Sequence, residues 1–278
     1  MTLSVNRSWS GGPCATLIAV AIVLVALGVR VEAWGPAAHR MVHERAIDGL
    51  PKELKGFYKR HRKELPTLAP DLDVPPEGPE RRFLVDRLAP YPFLDLPESE
   101  EAIQRRYPDA GDIGRLPWMV QEAYARLVEA MKGGEKVAIL EASDNLAGLL
   151  LDLHNPLALT ENNDGQRSRQ PGVWLRISVR LPQTLEGRVK IKPDVAYLVD
   201  DPNGFVFSII RATYVWLDNV LYEEDLATRR SGGRTDLYYD NLLEGLKPLI
   251  EIQLNKATRH IASYWYTAWV AAGRPELR

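Results

Sequence analysis

Apolar residues recur at helical spacing along most of this chain, and glycine or proline closes nearly every run. From Ala37 to Leu50, Ala38, Met41, Val42 and Ala46 share one face, and Pro36 stands near the first helical position, where its missing N–H costs little. Lys52 to Leu65 is a second, basic amphipathic run that Pro66 ends. Further helices are predicted from Leu116 to Lys132, stopping at Gly133-Gly134, and from Val137 to His154, stopping at Pro156. Two long ones follow, Gly204 to Arg229 and Asp236 to Ala272, separated by Ser231-Gly232-Gly233. Between positions 66 and 97 stand eight prolines, which exclude a continuous helix. That stretch is expected to be extended, with one helical turn around Arg82 to Arg87. Val173 to Leu181 alternates as a strand does, although a helix also fits it. With no internal repeat and no domain-separating linker, the expectation is one mainly α, multi-helix domain over residues 34–278 with an irregular proline-rich segment.

Residues 1–33 are set apart from that domain. Arg7 precedes an apolar run from Ala15 to Val29, of signal-peptide length, and Val31-Glu32-Ala33 supplies a small-residue cleavage site. Cleavage there makes Trp34 the first mature residue, leaves no transmembrane segment, and implies export to a periplasmic or extracellular location. It also removes Cys14, the single cysteine, and with it thiol chemistry, disulfides and cysteine zinc cages. Thirty-five basic against 37 acidic residues give a net charge of −2, which leaves no basic footprint for duplex nucleic acid.

The G-x-S-x-G, G-x-x-x-x-G-K-[ST], G-x-G-x-x-G and H-E-x-x-H patterns are absent. What remains is a scattered set of His and Asp residues. His39 and His43, four apart, share a helix face and are able to approach one metal, or simply to face solvent. Asp144, Gly148 and Asp152 line one face of a largely apolar helix, where a buried carboxylate needs a cation or a metal.

Several segments, in order, resemble the zinc-dependent phospholipase C and single-strand-specific nuclease superfamily. Trp34-Gly35-Pro36-Ala37-Ala38-His39 resembles its mature start, Pro70-Asp71 an early carboxylate ligand, and Pro92-Phe93-Leu94-Asp95 its H-F-x-D segment. Asp152-Leu153-His154-Asn155-Pro156-Leu157 resembles the D-x-H-x-P-L core, and Glu161-Asn162-Asn163-Asp164-Gly165-Gln166 the E-N-x-D-G-Q of bacterial members. Gly114 to Trp118 and Trp265 to Pro275 also match. The resemblance implies a helical fold and phosphodiester hydrolysis by a trinuclear zinc cluster, in which the metals generate hydroxide and balance transition-state charge.

Carried over residue by residue, the resemblance places metal ligands at Trp34, His39, Asp71 and Asp152. Five of nine ligand positions are substituted: Pro92, Gly148 and Ala158 stand for histidines, Trp174 for another, and Ser178 for an acid. One site, of Trp34, His39 and Asp152, is intact; a second keeps Asp71 and Asp152; the third has none. The preferred expectation is an exported homologue with a degenerate cluster, binding one zinc ion or none, in a binding or structural role. The competing one is an active hydrolase of a phosphodiester substrate, nucleic acid or phospholipid, using Asp71, Asp144, Asp152 and His154 around fewer metals. For the fold, the resemblance predicts Gly148, Ala158, Trp174 and Pro92 around Asp152, filling a cavity with apolar groups.

Overall fold

The computed structural model describes residues 34–65 and 79–278, so the predicted signal peptide and Asp71 lie outside the described residues. The chain is mainly α-helical, and no β-strand occurs among the described residues. Helices α1 (Gly35–Gly49) and α2 (Lys52–Arg60) lead to 3-10 turns at Pro79–Arg81 and Val85–Arg87 and to the short α3 (Glu100–Arg106). Then come α4 (Leu116–Gly133), α5 (Lys136–Leu153), α6 (Pro202–Tyr214), α7 (Leu217–Arg230) and α8 (Asp236–Ala271).

Helix α8 is the axis of the fold. Its 36 residues extend about 54 Å at 1.5 Å per residue, and it packs against α1, α4, α5 and α7. Pro248 interrupts its hydrogen bonding on an exposed face, beside the exposed Glu244. Helices α4 and α5 form a tight antiparallel hairpin, because Gly134 takes the left-handed conformation (φ 73°) and ends α4. Every residue of α5 from Leu146 to Leu153 is buried, Asp152 included. A helix apolar on all sides belongs at the centre of a core, and α5 lies between α4 and α8, with α1 against it.

Residues 190–199 run as an extended strap along α8, secured by one polar side chain per helical turn. Glu251 and Asn255 accept from the backbone N–H groups of Lys190 and Lys192, Arg259 pairs with Asp194, and Ser263 and Thr267 accept from those of Tyr197 and Val199. Four helical residues rise about 6 Å and two extended residues about 6.6 Å, so the two repeats nearly match. The strap crosses the end of α1 at Gly49, where an added Cβ would lie 2.1 Å from the Asp194 carbonyl oxygen.

Three sequence expectations differ from this fold. Residues 175–180 form a π-helical turn followed by a 3-10 turn, not a strand: Val173, Ile177 and Leu181, four apart, are buried, while Leu175 is exposed. The single helix expected from Gly204 to Arg229 is two, broken at Val215–Trp216 without glycine or proline. The second helix ends at Arg60, and turns continue to Leu65. No helix among the described residues is long and apolar enough to cross a membrane.

Candidate functional site

Asp152 is 2% exposed near the C-terminal end of α5, so its carboxylate needs a partner. That partner is Arg81, itself 8% exposed, at the end of the 3-10 turn Pro79–Arg81. Arg81 Nε donates to Asp152 Oδ2 at 2.7 Å, and Nη2 lies 2.5 Å from the same oxygen. Beside them, α1 contributes His39, also buried. Gly148, one turn before Asp152, leaves the room that both occupants use. A Cβ at 148 would lie 3.4 Å from Arg81 Nη2 and from His39 Cε1. A larger side chain there would have to share that space with the guanidinium and the His39 ring.

The segment that carries Arg81 is held on both sides. The Arg115 N–H donates to the Glu80 carbonyl (2.7 Å), the Leu116 N–H to the Arg82 carbonyl (3.1 Å), and the Phe83 N–H to the Ala158 carbonyl (2.8 Å). Arg82 extends its guanidinium over the Trp174 ring, 4.9 Å from the centroid. Residues 81–83 therefore touch three of the substituted positions: Gly148 through Arg81, Trp174 through Arg82 and Ala158 through Phe83. Ser178 joins from the far side, its hydroxyl accepting from Asn155 Nδ2 (2.9 Å). Pro92 is exposed, in a loop whose Phe93 packs edge-on against Tyr214. Beside Asp152, where apolar groups are expected, lies the charged side chain of Arg81, and Pro92 is at the surface instead. Arg81 gave no sequence signal, because a buried arginine in a proline-rich stretch has no periodicity to betray it.

Of the rest of the expected ligand set, Asp71 lies outside the described residues. Trp34 is buried at the start of α1. His43 stands edge-on to His39 and brings Nδ1 to 3.3 Å from Asp144 Oδ1. Burial lowers His39 to about 4, the charge of Asp152 opposing the shift and that of Arg81 adding to it. His43 falls to about 3 for the same first reason, and the neighbouring His39 adds to the shift. At neutral pH the Arg81–Asp152 pair is thus charge-balanced, with uncharged imidazoles next to it. A divalent cation on Asp152 would have to share that carboxylate with the guanidinium that already neutralises it, and would be repelled by it. With Arg81 in place the described residues do not fit a zinc ion. Among the described residues, no three His, Cys, Asp or Glu side chains converge to hold a metal.

No protein-family model matches this chain, and no curated protein matches it either. Its chemistry is therefore read from its own residues.

Two further polar networks are buried in the core. His154 joins α5 to α8, with Nδ1 3.0 Å from Gln253 Oε1 and Nε2 3.0 Å from His260 Nδ1. Burial lowers His154 to about 4 and His260 to about 2. In the second network, Glu224 of α7 receives Arg176, Gln170 and Tyr238. Away from these, Ile103, Tyr107, Ile113, Arg115 and Trp118 line a cleft of about 280 Å³.

Three buried histidines and the half-buried His260 dictate a direction for acid stability. Each stays neutral when folded down to pH 4 or below but titrates near 6.5 when unfolded, so the unfolded chain binds more protons in between. Stability is then present above pH 6.5 and falls as pH drops toward 4, by up to about 1.4 kcal/mol per pH unit for each group. Urea unfolding at pH 7 and pH 5 checks this: the midpoint falls markedly at pH 5, whereas equal midpoints contradict it.

Proposed function

We propose that this is an exported, non-catalytic protein with the helical architecture of the zinc-dependent phospholipase C and nuclease superfamily, its metal cluster degenerate and its role one of binding or structure. The observation that carries the reading is the Arg81–Asp152 pair. A carboxylate that would bridge metals is instead neutralised by an internal guanidinium. Hydrolysis of a phosphodiester at neutral pH by that route needs metal-generated hydroxide and a cationic site open to the phosphate. Here the cation is covered and its charge is already matched by Asp152.

The test is the zinc content of the chain purified from Trp34 onward, together with hydrolysis of a single-stranded oligonucleotide and of a phosphatidylcholine. The expected result is no bound zinc and no turnover of either substrate. Near three zinc ions per chain, with turnover, would establish the competing reading of an active phosphodiesterase.

A further inference from the structure

We propose that residues 81–83 are a built-in plug for the vacated cluster, with the Arg81 guanidinium as the resident cation in place of a metal and Gly148 as the substitution that admits it. This rests on the architecture assigned above, and it goes further by explaining why the losses occur together. The segment meets three substituted positions at once. Arg81 lies against Gly148, the Phe83 N–H reaches the Ala158 carbonyl, and Arg82 covers the Trp174 ring.

The exclusion works in both directions. A Cβ at 148 would already be in contact with the guanidinium and with His39, so a side chain as large as an imidazole competes with Arg81 for the space beside Asp152. Backbone hydrogen bonds fix the main chain on both sides of Arg81, and swinging its guanidinium aside would leave the buried Asp152 carboxylate without its cation. Arginine keeps its charge at every physiological pH, so the plug supplies a cation that neither dilution nor a chelator removes.

The experiment combines thermal unfolding with bound-zinc measurement on the full chain, with zinc chloride or with a chelator. Variants are Gly148→His, Arg81→Met and the double change, the last also with Asp152→Asn. The native chain is expected to be zinc-free and insensitive to either addition. Gly148→His alone should lower the folded-to-unfolded ratio about tenfold or more, as overpacking does. The double variant should bind at least one zinc and gain thermal stability with it, and Asp152→Asn should abolish that gain. Should the double variant fold only with metal, recovery on refolding in zinc supports the plug, and failure to recover overturns it. A native chain holding one zinc, a harmless Gly148→His, or a folded double variant blind to zinc overturns the plug while leaving the proposed function standing. Near three zinc ions in the native chain overturns the proposed function itself.

Discussion

Arg81→Ala is expected to destabilise the chain by about 3–5 kcal/mol, because it strands the carboxylate of Asp152 at the buried end of an apolar helix. For a domain of this size that is a fall of roughly 10 °C in the unfolding midpoint. The loss should shrink in Arg81→Ala/Asp152→Asn, since the uncompensated charge is then gone. Calorimetry on both variants makes the check. A loss from Arg81→Ala no larger than that of an exposed residue would contradict the burial and pairing described here.

Glu224→Ala should cost a similar amount, about 3–5 kcal/mol, for the same physical reason with the charges reversed. Glu224 is 1% exposed and accepts from Arg176 Nε at 2.9 Å, Gln170 Nε2 at 2.7 Å and the Tyr238 hydroxyl at 3.0 Å. Its loss leaves the Arg176 guanidinium buried with uncharged partners, the Pro171 and Gln170 carbonyls and the Tyr238 hydroxyl. The network ties the 165–181 region to α7 and α8, so the expected loss is global unfolding stability rather than local fraying. Urea unfolding followed by far-UV circular dichroism reads it. Glu224→Gln keeps the shape and should retain more stability than Glu224→Ala.

The helices were legible because their boundaries have local chemistry. Periodicity placed α1, α4, α5 and α8 within a few residues, and Gly134, with its left-handed backbone, stops α4 where the pattern ends. The break at Val215–Trp216 carries no glycine or proline, so no local signal marks it. The alternation from Val173 to Leu181 misled because Arg176 and Ser178 are buried polar residues held by Glu224 and Asn155, and only tertiary partners reveal them. The strap along α8 did leave a trace: Glu251, Asn255, Arg259, Ser263 and Thr267 recur every fourth residue, a polar stripe along a half-buried helix.

The site divides along the same line. Asp152 stood out as a carboxylate among leucines, and His39, four residues before His43, as part of a pair on one helix face. Their true counter-ion was hidden, because Arg81 reaches Asp152 across 71 positions from a segment with no repeating pattern. Gly148 is the link between what the sequence showed and what it concealed. The resemblance sets a histidine ligand at that position, and only the folded chain shows the guanidinium that lies against the glycine.

Whether a guanidinium or a metal neutralises Asp152 is decided most directly by diffraction from crystals grown in zinc, measured above and below the zinc absorption edge. The expected result is Arg81 on Asp152 with no anomalous peak within bonding distance of His39 or Asp152. A zinc peak bonded to both, with the Arg81 side chain turned away, would contradict it.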